Sequence, residues 1–166
     1  MLRISKLTDY GTLVMAFLAS NALANHTAKD IAHQTHLALP TVSKLLKLLA
    51  KGGLLQAHRG VKGGYGLARP ATEITLAQII AVLEGDFGLT ECSHHTNLCS
   101  METHCTIRSN WRTISNIVRE ALKSIKLADM ARPLAGNKVN KVQAGLQNFT
   151  TTVVPISALK AAPNTK

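Results

Sequence analysis

Between Thr27 and Gly53 the chain spells out two brief helices with fixed ends, and this pair constrains the fold more than any other stretch. Thr27-Ala-Lys-Asp30 has the spacing of a capping box, in which a hydroxyl and an acid three residues apart satisfy each other's backbone amides. It opens a helix over 28–35. His36–Leu39 leaves room only for a tight connection. Pro40 then suits the start of a second helix, where its missing N–H would be unpaired in any case. That helix runs to Lys51 and stops at Gly52-Gly53. Helix, short turn, helix is the helix-turn-helix plan.

The flanks extend this plan. Residues 5–24 read as a helix, with Leu7, Val14, Phe17 and Leu18 at helical spacing, and Asn21–His26 reads as a turn. Leu54–His58 and Tyr65–Arg69 are short strand candidates on either side of Arg59-Gly-Val-Lys-Gly-Gly64, a hairpin tip that Arg59 and Lys62 make basic. Pro70 ends this wing. Thr75 caps a fourth helix with Leu76, Ile79, Ile80 and Leu83 on one face. From Ile107 to Ala131 the steps of 4 and 3 between Ile107, Trp111, Ile114, Val118, Ala121, Ile125 and Ala128 describe a heptad seam. One helix of that length spans roughly 37 Å. It would project beyond a small domain, so the seam is expected to meet a second copy of the chain. Pro133 closes it.

The expected fold is therefore mainly α. A winged helix-turn-helix with a small β-hairpin occupies 1–70, the cysteine loop and long dimerisation helix occupy 71–132, and 133–166 is a polar, basic tail expected to be flexible. No apolar run reaches the roughly 18 residues that a membrane span needs. No apolar leader with a cleavage pattern follows the first residues, so a cytoplasmic location is expected.

Charge follows the same division. Residues 1–70 carry 9 basic and 2 acidic side chains, residues 71–132 carry 6 and 7, and residues 133–166 carry 4 and none. A basic N-terminal half joined to a neutral middle points to a polyanion partner. On the helix from Pro40, the stripe Val42, Leu45, Leu46 and Leu49 is the core-facing side. Thr41, Ser43, Lys44, Lys47 and Lys51 lie on the rest of its surface. That arrangement suits a recognition helix, with lysines on phosphates and Thr41, Ser43 and Lys44 near base edges. Arg59 at the wing tip can enter a narrow minor groove. The glycine-rich tip has a rival reading as a nucleotide-phosphate cradle, but such a cradle leads into a helix and here a strand follows. His58 has no nucleophile partner and no paired carboxylates stand out. No enzyme and no small-molecule substrate are expected.

The three cysteines, Cys92, Cys99 and Cys105, all fall within 14 residues, in a loop of roughly twenty residues over 85–104 and just beyond. Three is the wrong parity for a disulfide framework. Cys-x6-Cys-x5-Cys is wider than the spacing of structural zinc sites, whereas an iron–sulfur cluster tolerates it. Three thiolates leave one position open. His94, His95 and His104 are candidates, then Glu91 and Glu102, then a group from elsewhere in the chain or from another subunit.

Together, Ser5-Lys-Leu-Thr-Asp-Tyr-Gly11, the helix-turn-helix, Arg59-Gly-Val-Lys-Gly-Gly-Tyr-Gly-Leu-Ala-Arg69 and the three cysteines resemble the IscR/NsrR family of iron–sulfur transcription regulators over about residues 1–132. Within it the chain is most similar to regulators of SUF iron–sulfur assembly operons. The resemblance implies a homodimeric repressor on a double-stranded DNA operator, with a 2Fe–2S or 4Fe–4S cluster on Cys92, Cys99 and Cys105. IscR-like members take a fourth ligand from a histidine three residues after the last cysteine, and that position here is Arg108. NsrR-like members take it from an aspartate in the first helix of the other subunit, and Asp9 stands there. IscR-like members also carry a glutamate in the recognition helix where this chain has Ser43. Two other readings stay open: a redox- or nitric-oxide-sensing regulator of stress genes, and a cluster or metal carrier without operator specificity.

Overall fold

Helix α1 (Lys6–Ser20) begins where Ser5 turns its hydroxyl onto the Thr8 amide at 3.2 Å. Its buried side is Thr8, Gly11, Val14, Met15 and Leu18. The computed structural model of the chain describes residues 4–60, 63–85, 88–90 and 105–131. The tail at 133–166 lies outside them. Helix α1 ends at Ser20, short of the expected 24, because the Asn21 amide folds back onto the carbonyls of Phe17 and Leu18 and the chain turns.

Helix α2 (Ala28–Thr35) carries the capping box that its sequence predicts. Thr27 Oγ1 accepts the Asp30 amide and Asp30 Oδ2 accepts the Thr27 amide, each at 3.2 Å. The Thr27 hydroxyl and amide hold the Asp30 carboxyl below its usual pKa. His36 then takes the left-handed conformation at φ 55° and ψ 27°, which reverses the chain in a single residue. Helix α3 (Leu39–Lys51) follows, with Pro40 in its first turn and Gly52 at its end. Strands β1 (Leu55–His58) and β2 (Gly64–Leu67) pair antiparallel, with Leu55 opposite Leu67 and His58 opposite Gly64. Helix α4 (Leu76–Glu84) starts with a second capping box, between Thr75 and Gln78.

The expected helix from Ile107 to Ala131 is two helices. Helix α5 (Arg108–Ser124) stops where Ile125 becomes extended, and α6 (Leu127–Met130) is a single turn. The break is made by backbone demand from elsewhere. The Leu76 amide, at the start of α4, donates to the Ile125 carbonyl at 2.9 Å, and the Leu127 amide donates to the Ile74 carbonyl at 2.8 Å. The Ala128 amide donates to Ala71 at 3.1 Å. An amide at a helix start has no partner in its own helix, and Ile125 supplies one only by leaving the helical conformation. The bend also seats Leu127, wholly inaccessible to solvent, in the core formed by α1, α2, α3 and Ile74. Helix α5 is thus about 25 Å long, and Ile125 and Ala128 leave the seam. No helix among the described residues is long and apolar enough to cross a membrane.

Candidate nucleic-acid interface and cysteine loop

The core fixes the rotation of α3. Val42, Leu45, Leu46 and Leu49 are fully buried, which turns Lys44, Lys47 and Lys51 to solvent and leaves Thr41 and Ser43 half-buried at the start of the helix. Among the described residues none of the three lysines enters an ion pair. The expected recognition face is therefore exposed, cationic and unspent. Helix α2 packs behind α3 and keeps it from rolling.

The wing is set beside this face by a two-way backbone bridge. The His26 amide donates to Tyr65 at 3.1 Å and the Tyr65 amide donates to His26 at 2.8 Å. The His26 ring is pinned in turn, edge-on to Phe17 at 5.1 Å with Nε2 3.1 Å from the Asn21 carbonyl. Arg59 is exposed at the end of β1. Lys62 lies outside the described residues.

Of the cysteines, Cys105 is described. It is half-buried with a free thiol, and its carbonyl accepts the Arg108 amide at the foot of α5. Cys92 and Cys99, with His94, His95, His104, Glu91 and Glu102, lie outside the described residues. The near end of the loop is also tied to α5. The Leu89 amide donates to the hydroxyl of Ser115, itself fully buried, at 3.3 Å. Asp9 is exposed in the first turn of α1. Among the described residues, no three His, Cys, Asp or Glu side chains converge. Of the residues expected to hold a cluster, Cys105 and Asp9 are described, and Cys105 stands three residues before the first residue of α5.

Sequence reasoning missed the tip of α4. Its last three residues reach α1 and α3 just before the chain enters the loop. Val82 meets the end of α3, where a Cβ on Gly52 would stand 2.5 Å from a Val82 methyl. Leu83 is lodged against Gly11 of α1, where a side chain would strike it, and Leu45 of α3 closes the same junction. Glu84 accepts the Ser5 amide at 2.9 Å, at the start of the helix that carries Asp9. The Thr8 hydroxyl and the Ser5 groups hold the Glu84 carboxyl below its usual pKa, so the latch stays ionised until pH falls through that lowered value. The available signal was the pair Gly11 and Gly52, small residues where a second helix passes close.

Comparison with known proteins gives a consistent picture. The family described as Rrf2, iron-dependent transcriptional regulator, matches residues 4–133. The structure of CymR, the global cysteine regulator of B. subtilis, superposes with a TM-score of 0.64 at 32% identity, covering 79% of this chain and 97% of CymR. IscR of T. potens superposes with a TM-score of 0.61 at 26% identity over 95% of this chain and 96% of its own. In sequence, the HTH-type transcriptional regulator IscR of Vibrio campbellii is 26% identical over 162 residues, or 91% of this chain and 96% of that protein. These relatives are regulators of transcription rather than enzymes.

Proposed function

Starting from the chain's membership of the Rrf2 family of helix-turn-helix transcriptional regulators, we propose that it is a dimeric repressor of iron–sulfur assembly genes whose grip on DNA is set by an iron–sulfur cluster. Cys92, Cys99 and Cys105 hold the cluster and Asp9 of the other subunit completes it. The cluster, when bound, supplies a link between loop and helix that iron supply or oxidants can break. A carboxylate is a harder ligand than a thiolate and makes that link labile. The observation that carries the reading is the α4 tip. A displacement at Gly85 reaches Gly52 through Val82, Gly11 and Leu45 through Leu83, and Ser5 through Glu84. Packed cores shift between discrete arrangements rather than deforming continuously, so a loop held or released biases the pose of α3.

On the DNA side, Thr41, Ser43 and Lys44 read base edges, Lys47 and the wing's Lys62 contact phosphate, and Arg59 enters the adjacent minor groove. Lys47→Ala is expected to weaken all duplexes about equally and to lower the salt-dependence slope by about one. Arg59→Ala is expected to lose discrimination at A/T-rich flanks. Titrations on specific and random duplexes across a salt series check both. An equal effect of Arg59→Ala on the two duplexes would remove the wing from the recognition scheme.

Asp9→Ala tests the cluster. It is expected to speed cluster loss and change the visible absorption while leaving the fold of the apo-protein intact. An unchanged spectrum and lifetime, with changes in His94→Ala, His95→Ala or His104→Ala instead, would place the fourth ligand in the loop.

A further inference from the structure

The start of α3 is apolar and uncovered. Ala38, Leu39 and Pro40 are all exposed, Leu39 at 45%. Leu37, two residues before Leu39, is half-buried against the core and anchors the turn, so Leu39 is not needed for that task. Helices α1, α2 and α4 each begin with a hydroxyl that accepts an amide of the first turn, from Ser5, Thr27 and Thr75. Helix α3 begins with Ala38, whose side chain makes no such bond, and Pro40 brings no N–H. A polar cap or a buried leucine would stabilise the helix, and this tripeptide supplies neither. Folding therefore does not account for an apolar tip here.

Position in the fold supplies a partner. At helical spacing, Pro40, Lys44, Lys47 and Lys51 share the side of α3 opposite its buried stripe, and Leu39 stands one turn before Ser43. The N-terminal residues of a recognition helix are the ones that reach base edges in the major groove. A leucine there can neither donate nor accept a hydrogen bond. The apolar feature that a base pair offers in that groove is the thymine methyl.

We propose that Leu39, with Pro40 beside it, reads a thymine methyl in each half-site of the operator. Lys44 and Lys47, unpaired among the described residues, draw the helix onto phosphate and so carry the tip into the groove. The side chains of Ala38 and Pro40 place no donor beside the leucine that would favour a base acceptor instead. The inference rests on the DNA-binding reading above and adds to it an apolar source of sequence preference.

The test uses the full chain and operator duplexes in which deoxyuracil replaces thymine in one half-site. The exchange removes the methyl and keeps the base pairing and the minor-groove edge. Wild type is expected to bind the uracil duplex about fourfold more weakly, the loss of one buried methyl. Leu39→Ala is expected to bind the thymine operator roughly fourfold or more weakly than wild type, and to bind thymine and uracil duplexes alike. Its melting temperature should not change, as at a surface position. Leu39→Met, which keeps an apolar side chain, should retain the thymine preference.

Equal affinity of the wild type for the two duplexes overturns the contact. So does a uracil penalty that persists unchanged in Leu39→Ala, because another group or the shape of the duplex would then sense the methyl. A changed mass of Leu39→Ala in light scattering overturns it too, since the apolar tip would then serve a second copy of the chain. Each of these results leaves the regulator reading standing. A wild type that selects no operator over random DNA is a different result, and it removes the regulator reading together with this inference.

Discussion

In the proposed dimer, Ile114→Glu combined with Val118→Glu should leave only monomers and lower operator affinity on the order of a hundredfold or more. Ile107, Trp111 and Ile114 follow one another along α5 and its cap at 45%, 36% and 42% exposure. Val118 continues the row, half-buried where α5 begins to lie on α4. Large apolar side chains in sequence on one exposed face mark a surface that another protein covers, and the spacing of 4 and 3 is that of helix against helix. A carboxylate placed in such a contact must be desolvated without a partner, which costs several kcal/mol. DNA affinity falls with it, because two half-sites held together raise each other's effective concentration and a lone half-site has no such help. Light scattering and operator titration on the same sample check this. A double variant that remains a dimer would show that the row of apolar residues packs on its own chain or serves another partner.

Leu127→Ala should cost about 2–5 kcal/mol of folding stability, a large part of the roughly 5–15 kcal/mol that a domain of this kind has. Leu127 is fully buried in the same core as Val14, Leu45 and Ile79. Helix α6, which carries it, packs on α1. Its removal leaves a cavity at the centre of the DNA-binding unit, although it stands beyond the end of α5. Denaturant unfolding of the wild type and Leu127→Ala measures the difference. A loss below about 1 kcal/mol, as expected for a surface position, would mean that 107–131 is one projecting helix and that the bend at Ile125 is not populated.

What the sequence revealed and what it concealed divide along physical lines. The capping boxes at Thr27 and Thr75, the start at Pro40 and the buried stripe of α3 are local, and each was legible because the residues that set it lie within one or two turns. The break at Ile125 was not legible. No glycine or proline marks it, and it exists because the Leu76 amide donates to the Ile125 carbonyl and the Leu127 amide to the Ile74 carbonyl across the fold. A local trace was present in Asp129, whose carboxylate accepts the Lys126 amide at 3.1 Å as a new helix starts. The overrun of α1 past Ser20 has the opposite character, since Ala22, Leu23 and Ala24 favour helix and only the turn to His26 and the wing overrides them. At the candidate site, the rotation of α3 and the exposure of its lysines followed from periodicity. The contacts of Val82, Leu83 and Glu84 did not, because they join helices far apart in the chain.

In the proposed switch the cysteine loop governs the pose of the recognition helix. The most direct measurement is operator affinity of one anaerobically reconstituted sample, taken before and after its cluster is removed by chelation, with a random duplex alongside. At least a tenfold change is expected on the operator and little on the random duplex, and Gly52→Val, which drives a side chain into Val82, is expected to abolish the difference while the cluster spectrum persists. Identical operator affinity with and without the cluster would contradict it.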